Sequence, residues 1–165
     1  MTDTIVLLHG GATGSSAWNL VARALVSSRA SVVAPDMLGY GASPPPTGSY
    51  GIAEEVAHLT RLLGLQPHSC HGIIHAVGFG GTFHLVTYSL GSLIGLHLRR
   101  ALGARVRRMT LVDPVVVSVL RECGEDDAYA EMEEQYQRFM SLSADHEAAG
   151  RYFVDHWNEI GRAHV

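Results

Sequence analysis

The sequence predicts an α/β fold: a partial doubly wound parallel sheet of about four strands, followed by helices. Two observations carry that expectation. Short apolar runs, each closed by a glycine or Pro-Asp turn, alternate with helical spacings as far as Val112, and strands buried on both faces of a parallel sheet have that continuous apolar character. From Glu125 the alternation stops and two amphipathic helices follow one another, as in an insertion over a sheet.

Ile5-Val6-Leu7-Leu8 is the first predicted strand, closed by His9-Gly10-Gly11. Residues 17–26 form a helix on the spacing of Trp18, Val21, Ala22 and Leu25, with Ser15 and Ser16 offering hydroxyl caps. Val32-Val33-Ala34 is the second strand, and Pro35-Asp36 ends it. Residues 39–50, rich in Gly, Pro and Ser, read as a loop, and residues 52–63 as a helix presenting Val56, Leu59, Leu62 and Leu63. Residues 83–87 give a third strand, 90–102 a helix and 109–112 a fourth strand before Asp113-Pro114. Tyr129, Met132, Tyr136, Phe139 and Met140, then Ala148, Ala149, Tyr152, Phe153 and Trp157, fall at helical spacings and are expected to be packing surfaces, not a cofactor box. No cofactor is expected.

The 165 residues suffice for one domain with a real core. With 47% hydrophobic and 17% charged residues the composition is that of a globular chain, and a net charge of -4 gives no reason to expect nucleic acid as a partner. Arg99, Arg100, Arg105, Arg107 and Arg108 read as the solvated end of a helix, cations near its last carbonyls. Cys70 and Cys123 lie in unrelated contexts, so no disulfide framework is expected. The N-terminus lacks the regions of a signal peptide and no apolar run approaches the ~20 residues of a membrane span, so the expectation is a cytoplasmic protein with no membrane partner.

The chemistry concentrates in Phe83-His84-Leu85-Val86-Thr87-Tyr88-Ser89-Leu90-Gly91-Ser92, which runs from a strand straight into a helix. A nucleophile on so tight a turn is forced into strained backbone and lifted above the carboxyl edge of the sheet. Small residues two before and two after it let the chain turn; Gly91 meets that need, and Thr87 stands where G-x-S-x-G has its first glycine. The helix that follows aims free N–H groups at a developing oxyanion. Alone, T-Y-S-L-G describes a serine that merely caps a helix. Its company changes the weighing: Leu7-Leu8-His9-Gly10-Gly11 places a glycine turn after the first strand, and Pro35-Asp36-Met37-Leu38-Gly39-Tyr40-Gly41-Ala42-Ser43 follows the second.

These three motifs, in this order and spacing, resemble the α/β-hydrolase family in its serine-nucleophile branch, over about residues 4–158. The resemblance implies that Ser89 is the nucleophile and that the N–H groups of Leu90 and Gly11, or of Ala12 in place of Gly11, hold the oxyanion. It implies a loop-organising role for Asp36. It makes Asp113 either the acid of the triad, as in some members, or a loop-ordering aspartate before Pro114. By the same resemblance, residues 1–120 are a partial hydrolase core and residues 121–158 the start of a helical cap that shapes substrate choice. The catalytic histidine of the family follows its last strand, so the chain reads as an N-terminal fragment cut within the cap. Residues 159–165, Glu-Ile-Gly-Arg-Ala-His-Val, resemble a translated sequencing adapter and are expected to be a non-native tail.

The expected activity of the intact parent is hydrolysis of an ester or related acyl bond in a small hydrophobic substrate, carboxylesterase-like, with the fragment weakly active or inactive for want of a base. Serine at the turn argues against the haloalkane dehalogenase and epoxide hydrolase branches, which carry aspartate there. The alternative is a non-catalytic ligand-binding protein on the same fold. Residues 66–82 depart from the family: His68, Cys70, His71 and His75 cluster there, but without the second ligand pair that zinc needs, so no metal is expected and an inserted loop or disturbed reading frame is the reading.

Overall fold

A computed structural model describes residues 4–27, 30–48, 50–64, 81–142 and 144–163. Four parallel strands, β1 (Thr4–Leu8), β2 (Ser31–Val33), β3 (Phe83–Tyr88) and β4 (Val106–Val112), form one sheet in the order β2-β1-β3-β4. The helices between them are α1 (Asn19–Ser27), entered through a 3-10 turn at Ser15–Trp18, α2 (Ile52–Leu62) and α3 (Leu90–Leu102). The expected alternation is thus present.

β1 lies between two neighbours and is covered on both faces, which is why Val6, Leu7 and Leu8 are wholly buried and why its sequence shows no polar alternation. On β3 the buried side chains are every second one, Phe83, Leu85 and Thr87. Phe83 and Leu85 pack with Leu59 and Leu63 at the end of α2 and with Ile94 and Leu98 of α3 in a single core that also takes in Val6, Leu8, Met37 and Val106. Each fully buried leucine in such a core contributes roughly 1.5–3 kcal/mol.

Two local expectations are corrected. β4 starts at Val106, three residues earlier than the apolar run suggests, so Arg107 and Arg108 are exposed strand residues and not part of a helix end. The helix-end reading holds for Arg99, whose Nη1 donates to the Gly103 carbonyl at 2.6 Å. Among the described residues β4 pairs with β3 alone, so its second edge carries no strand; charged side chains are what such an edge tolerates. The 3-10 turn is not capped by the Ser15 or Ser16 hydroxyls. Asp36, 21 residues away, accepts the Ser15 N–H at 2.8 Å and does the capping.

The chain divides into two compact units, residues 1–115 and 116–165. The second holds a short helix α4 (Ser118–Glu122), which the sequence reading lacks, then α5 (Asp126–Ser141) and α6 (His146–Ala163). Asp145 caps α6 by accepting the Ala148 N–H at 3.0 Å, and Asp126 and Asp127 sit in the first turn of α5, where the helix dipole favours anions. Phe139 meets Phe153 edge-on between α5 and α6, and the Arg138 guanidinium lies over the Tyr152 ring. The backbone of 159–163 continues α6. No described helix is long and apolar enough to cross a membrane.

Candidate active site

The register of the sheet decides what meets at its carboxyl edge. Leu8 pairs with Thr87, and Thr87 with Leu111. Two residues beyond that row stand Gly10, Ser89 and Asp113. In this neighbourhood lie all three described non-glycine residues with positive φ: Ala12 (58°), Ser89 (51°) and Asp113 (46°). Each such residue costs of order 1–3 kcal/mol, and a cluster of them on one rim marks strain kept in one place.

Ser89 turns the chain from β3 into α3 with φ 51° and ψ -123°, outside both helix and strand. Its N–H donates to the Val112 carbonyl at 3.0 Å and its carbonyl accepts the Ser92 N–H at 2.8 Å, so neighbouring backbone fixes the strained residue from both sides. Its side chain is half-buried. Gly91 is required by close approach: a β-carbon there would lie 2.3 Å from the His9 carbonyl oxygen and 2.9 Å from that of Leu8. Thr87 fits because the helix opposite it is small. Its hydroxyl reaches Ser92 Oγ (3.0 Å) and the Thr110 carbonyl (3.3 Å), and its methyl faces Gly95, where a β-carbon would be 2.7 Å away.

The glycine turn after β1 lies directly against Ser89. A β-carbon on Gly10 would come within 3.1 Å of Ser89 Cβ, and one on Gly11 would touch the Leu90 side chain. Met37 N–H donates to His9 Nε2 at 3.1 Å, which puts the ring proton on Nδ1, and Nδ1–H donates to the Gly10 carbonyl at 2.8 Å. Thr13 Oγ1 donates to the same carbonyl at 2.9 Å, and the Ala12 N–H donates to Tyr40 Oη at 3.1 Å. Among the described residues the N–H groups of Gly11 and Leu90 take no acceptor. The structure therefore brings together Ser89, Gly11 and Leu90, and engages Ala12 elsewhere. Asp113 is exposed at the end of β4, on the far side of Ser89 from Gly10.

Asp36 is occupied by backbone. Oδ1 accepts the Ser15 N–H and Oδ2 the Ala42 N–H (3.2 Å); burial raises its pKa, but these hydrogen bonds, with that of the Ser15 hydroxyl, outweigh it and hold the carboxyl below the usual aspartate value. Gly41 must be glycine, since its φ is 50° and a β-carbon would lie 2.0 Å from Asp36 Oδ2. Behind this loop, buried Glu55 faces the Leu38 N–H (3.2 Å to each oxygen) and accepts the Tyr50 hydroxyl at 2.7 Å, while His58 meets Ser43 Oγ at 3.0 Å. Burial and the Glu55 carboxylate push the Tyr50 hydroxyl upward.

Sequence reasoning missed Tyr40, Thr13 and Glu55. For Glu55 a signal exists: it shares the α2 stripe of Ile52, Val56 and Leu59, where a carboxylate must find buried donors. Of the other histidines, His84 and His156 are half-buried and His97 and His146 exposed. Among the described residues no group of His, Cys, Asp and Glu could hold a metal; His68, Cys70, His71 and His75 lie outside them. Cys123 is an exposed free thiol.

Comparison with known proteins places this geometry. A family model described as "Alpha/beta hydrolase family" matches residues 5–162. The 2-hydroxy-6-oxo-2,4-heptadienoate hydrolase of Pseudomonas putida is 33% identical over 119 residues, 70% of this chain and 39% of that protein. The probable lysophospholipase BODYGUARD 3 of Arabidopsis thaliana is 27% identical over 116 residues, 68% of this chain and 21% of that protein. Among solved structures, a probable hydrolytic enzyme of Pseudomonas aeruginosa superposes with a TM-score of 0.59 at 22% identity, over 70% of this chain and 33% of that one. An epoxide hydrolase from Vigna radiata does so with a TM-score of 0.55 at 25% identity, over 67% and 33%. The chain thus spans well under half the length of these relatives.

Proposed function

This chain belongs to the alpha/beta hydrolase family, and from that premise we propose that it carries the nucleophile and oxyanion site of a serine hydrolase. The Ser89 hydroxyl attacks the carbonyl carbon of a small acyl substrate. The negative charge that moves onto the carbonyl oxygen is taken up by the N–H groups of Gly11 and Leu90. The leaving group departs with a proton, an acyl-serine remains, and water releases the acid and restores the hydroxyl. The base that takes the Ser89 proton is a histidine placed after the last strand of the family's fold, and Asp113 is one position for the acid that orients it.

The observation that carries this reading is a strained Ser89 packed against the first glycine turn, with the N–H groups of Gly11 and Leu90 unengaged among the described residues. A hydroxyl nucleophile suits an acyl or activated carbon–carbon bond beside a carbonyl, and the two relatives above, a dienoate hydrolase and a probable lysophospholipase, act on substrates within that range by their names. The substrate is proposed to be small and apolar, and the setting cytoplasmic.

The test is covalent labelling with a fluorophosphonate. This chain is expected to label slowly and only at Ser89, with none after Ser89→Ala, and a version extended to include a downstream acid and histidine to label ~10³-fold faster or more. Labelling that survives Ser89→Ala, or an extended protein that does not label, defeats the assignment.

A further inference from the structure

We propose that Tyr40 is a positioning residue for the oxyanion site: by taking the Ala12 N–H, it holds the first glycine turn in the one arrangement that leaves the Gly11 N–H facing substrate. The proposal rests on the assignment of Ser89 and Gly11 above.

A glycine pair is the freest stretch of chain there is, so Gly10-Gly11 alone cannot hold an N–H in place. In a trans peptide the carbonyl and the N–H point in opposite directions, so fixing the Gly10 carbonyl fixes the Gly11 N–H. His9 Nδ1–H and Thr13 Oγ1–H both donate to that carbonyl. The next peptide still has to be held, and Ala12 needs holding most, since its φ of 58° is disfavoured for alanine. The Tyr40 hydroxyl accepts its N–H at 3.1 Å from 28 residues away. The Tyr40 ring stands edge-on to His9, centroids 4.8 Å apart, so the two side chains that grip the turn also brace each other. Without the Tyr40 hydroxyl, the peptide ahead of Ala12 can rotate, and the Ala12 N–H becomes a competing, misplaced donor beside Gly11.

Amide-resolved hydrogen exchange on the 165-residue chain tests the grip without reference to catalysis. In the unaltered chain Ala12 is expected to exchange at least about tenfold more slowly than Gly11, and in Tyr40→Phe, which keeps the ring against His9, the two are expected to become alike. Equal exchange at Ala12 and Gly11 in the unaltered chain overturns the proposal, even if Tyr40→Phe does not fold. Fluorophosphonate labelling tests the consequence: Tyr40→Phe is expected to lower the rate of bond formation to Ser89 about tenfold, a fraction of the ~10²–10³ that losing an oxyanion donor costs, with the reversible affinity for the probe unchanged. Labelling at the unaltered rate, or a loss confined to affinity, sinks the role of Tyr40 and leaves Ser89 standing. No Ser89-dependent labelling even of the version extended by a downstream acid and histidine sinks both.

Discussion

The sheet unit and the helical unit that follows it are built on opposite terms. In residues 1–115, Val6, Leu7 and Leu8 of β1 and the inner face of β3 are buried, and the strained rim at Ala12, Ser89 and Asp113 sits on top of that core. In residues 116–165 Ala149 is the one described residue that is buried, while Val119, Tyr136, Met140 and Val154 stay exposed on helices of good amphipathic pattern. The first unit has packing to spare and keeps strain on its rim. The second has marginal packing of its own, and contacts such as Glu147 with Arg151 and Arg121 with Tyr129 lie at the surface, where each is worth under about 1 kcal/mol. A tight core is what lets a rim hold a residue such as Ser89 off its preferred backbone angles.

The same substitution in the two units should give opposite signs, and this is the sharpest way to break the comparison. Gly91→Ala forces a β-carbon onto the His9 and Leu8 carbonyl oxygens, and it is expected to cost at least about 3 kcal/mol in urea unfolding. A cost below 1 kcal/mol means that α3 is not pressed against β1.

Asp36→Asn comes next, at about 2 kcal/mol near neutral pH, because a charged acceptor of two backbone N–H groups becomes neutral. The carboxyl is held below its unfolded-state value, so its stabilisation is complete above that value, near pH 4, and is lost as pH falls through the folded-state value. The gap between Asp36→Asn and the unaltered chain should therefore narrow on going from pH 6 to pH 3; a constant gap refutes the charge argument.

Ser89→Gly is expected to raise stability by about 1 kcal/mol while ending all labelling. It relieves roughly 1–3 kcal/mol of strain against the ~0.5–1 kcal/mol entropic cost of glycine. A loss of stability would place the strain elsewhere. The smallest effect is the counterpart of the first: Gly150→Ala, within α6 where a β-carbon meets open space, should stabilise by at most about 1 kcal/mol through helix propensity. Thermal unfolding that moves down instead would mean that α6 packs closely there.

The sheet and the strained turn at Ser89 were legible because they rest on local signals: apolar runs for strands, Gly91 where α3 meets β1, and a serine between strand and helix. Asp36 was legible as a loop organiser, though its bond to Ser15 was not, because capping by a residue 21 positions off leaves no pattern near the helix. That the Ala12 N–H is engaged was closed to sequence reasoning, since it turns on where a tyrosine 28 residues downstream places its hydroxyl. The start of β4 was hidden because Arg107 and Arg108 look like a helix end until the pairing with β3 is seen. The Cys and His cluster at 68–75 lies outside the described residues, and with it the reading of an inserted loop or a disturbed reading frame.

The outer side of β4 has a consequence for handling the protein. Among the described residues no strand lies there, and every second residue of β4 turns its N–H and carbonyl outward, a template on which a second molecule can lay its own strand. The guanidinium groups of Arg107 and Arg108 work as gatekeepers there, because two copies meeting along that line bring like charges together. Such repulsion reaches only about 10 Å at 0.1 M salt and about 3 Å at 1 M, so concentrated, salty solutions weaken this barrier to pairing along that line.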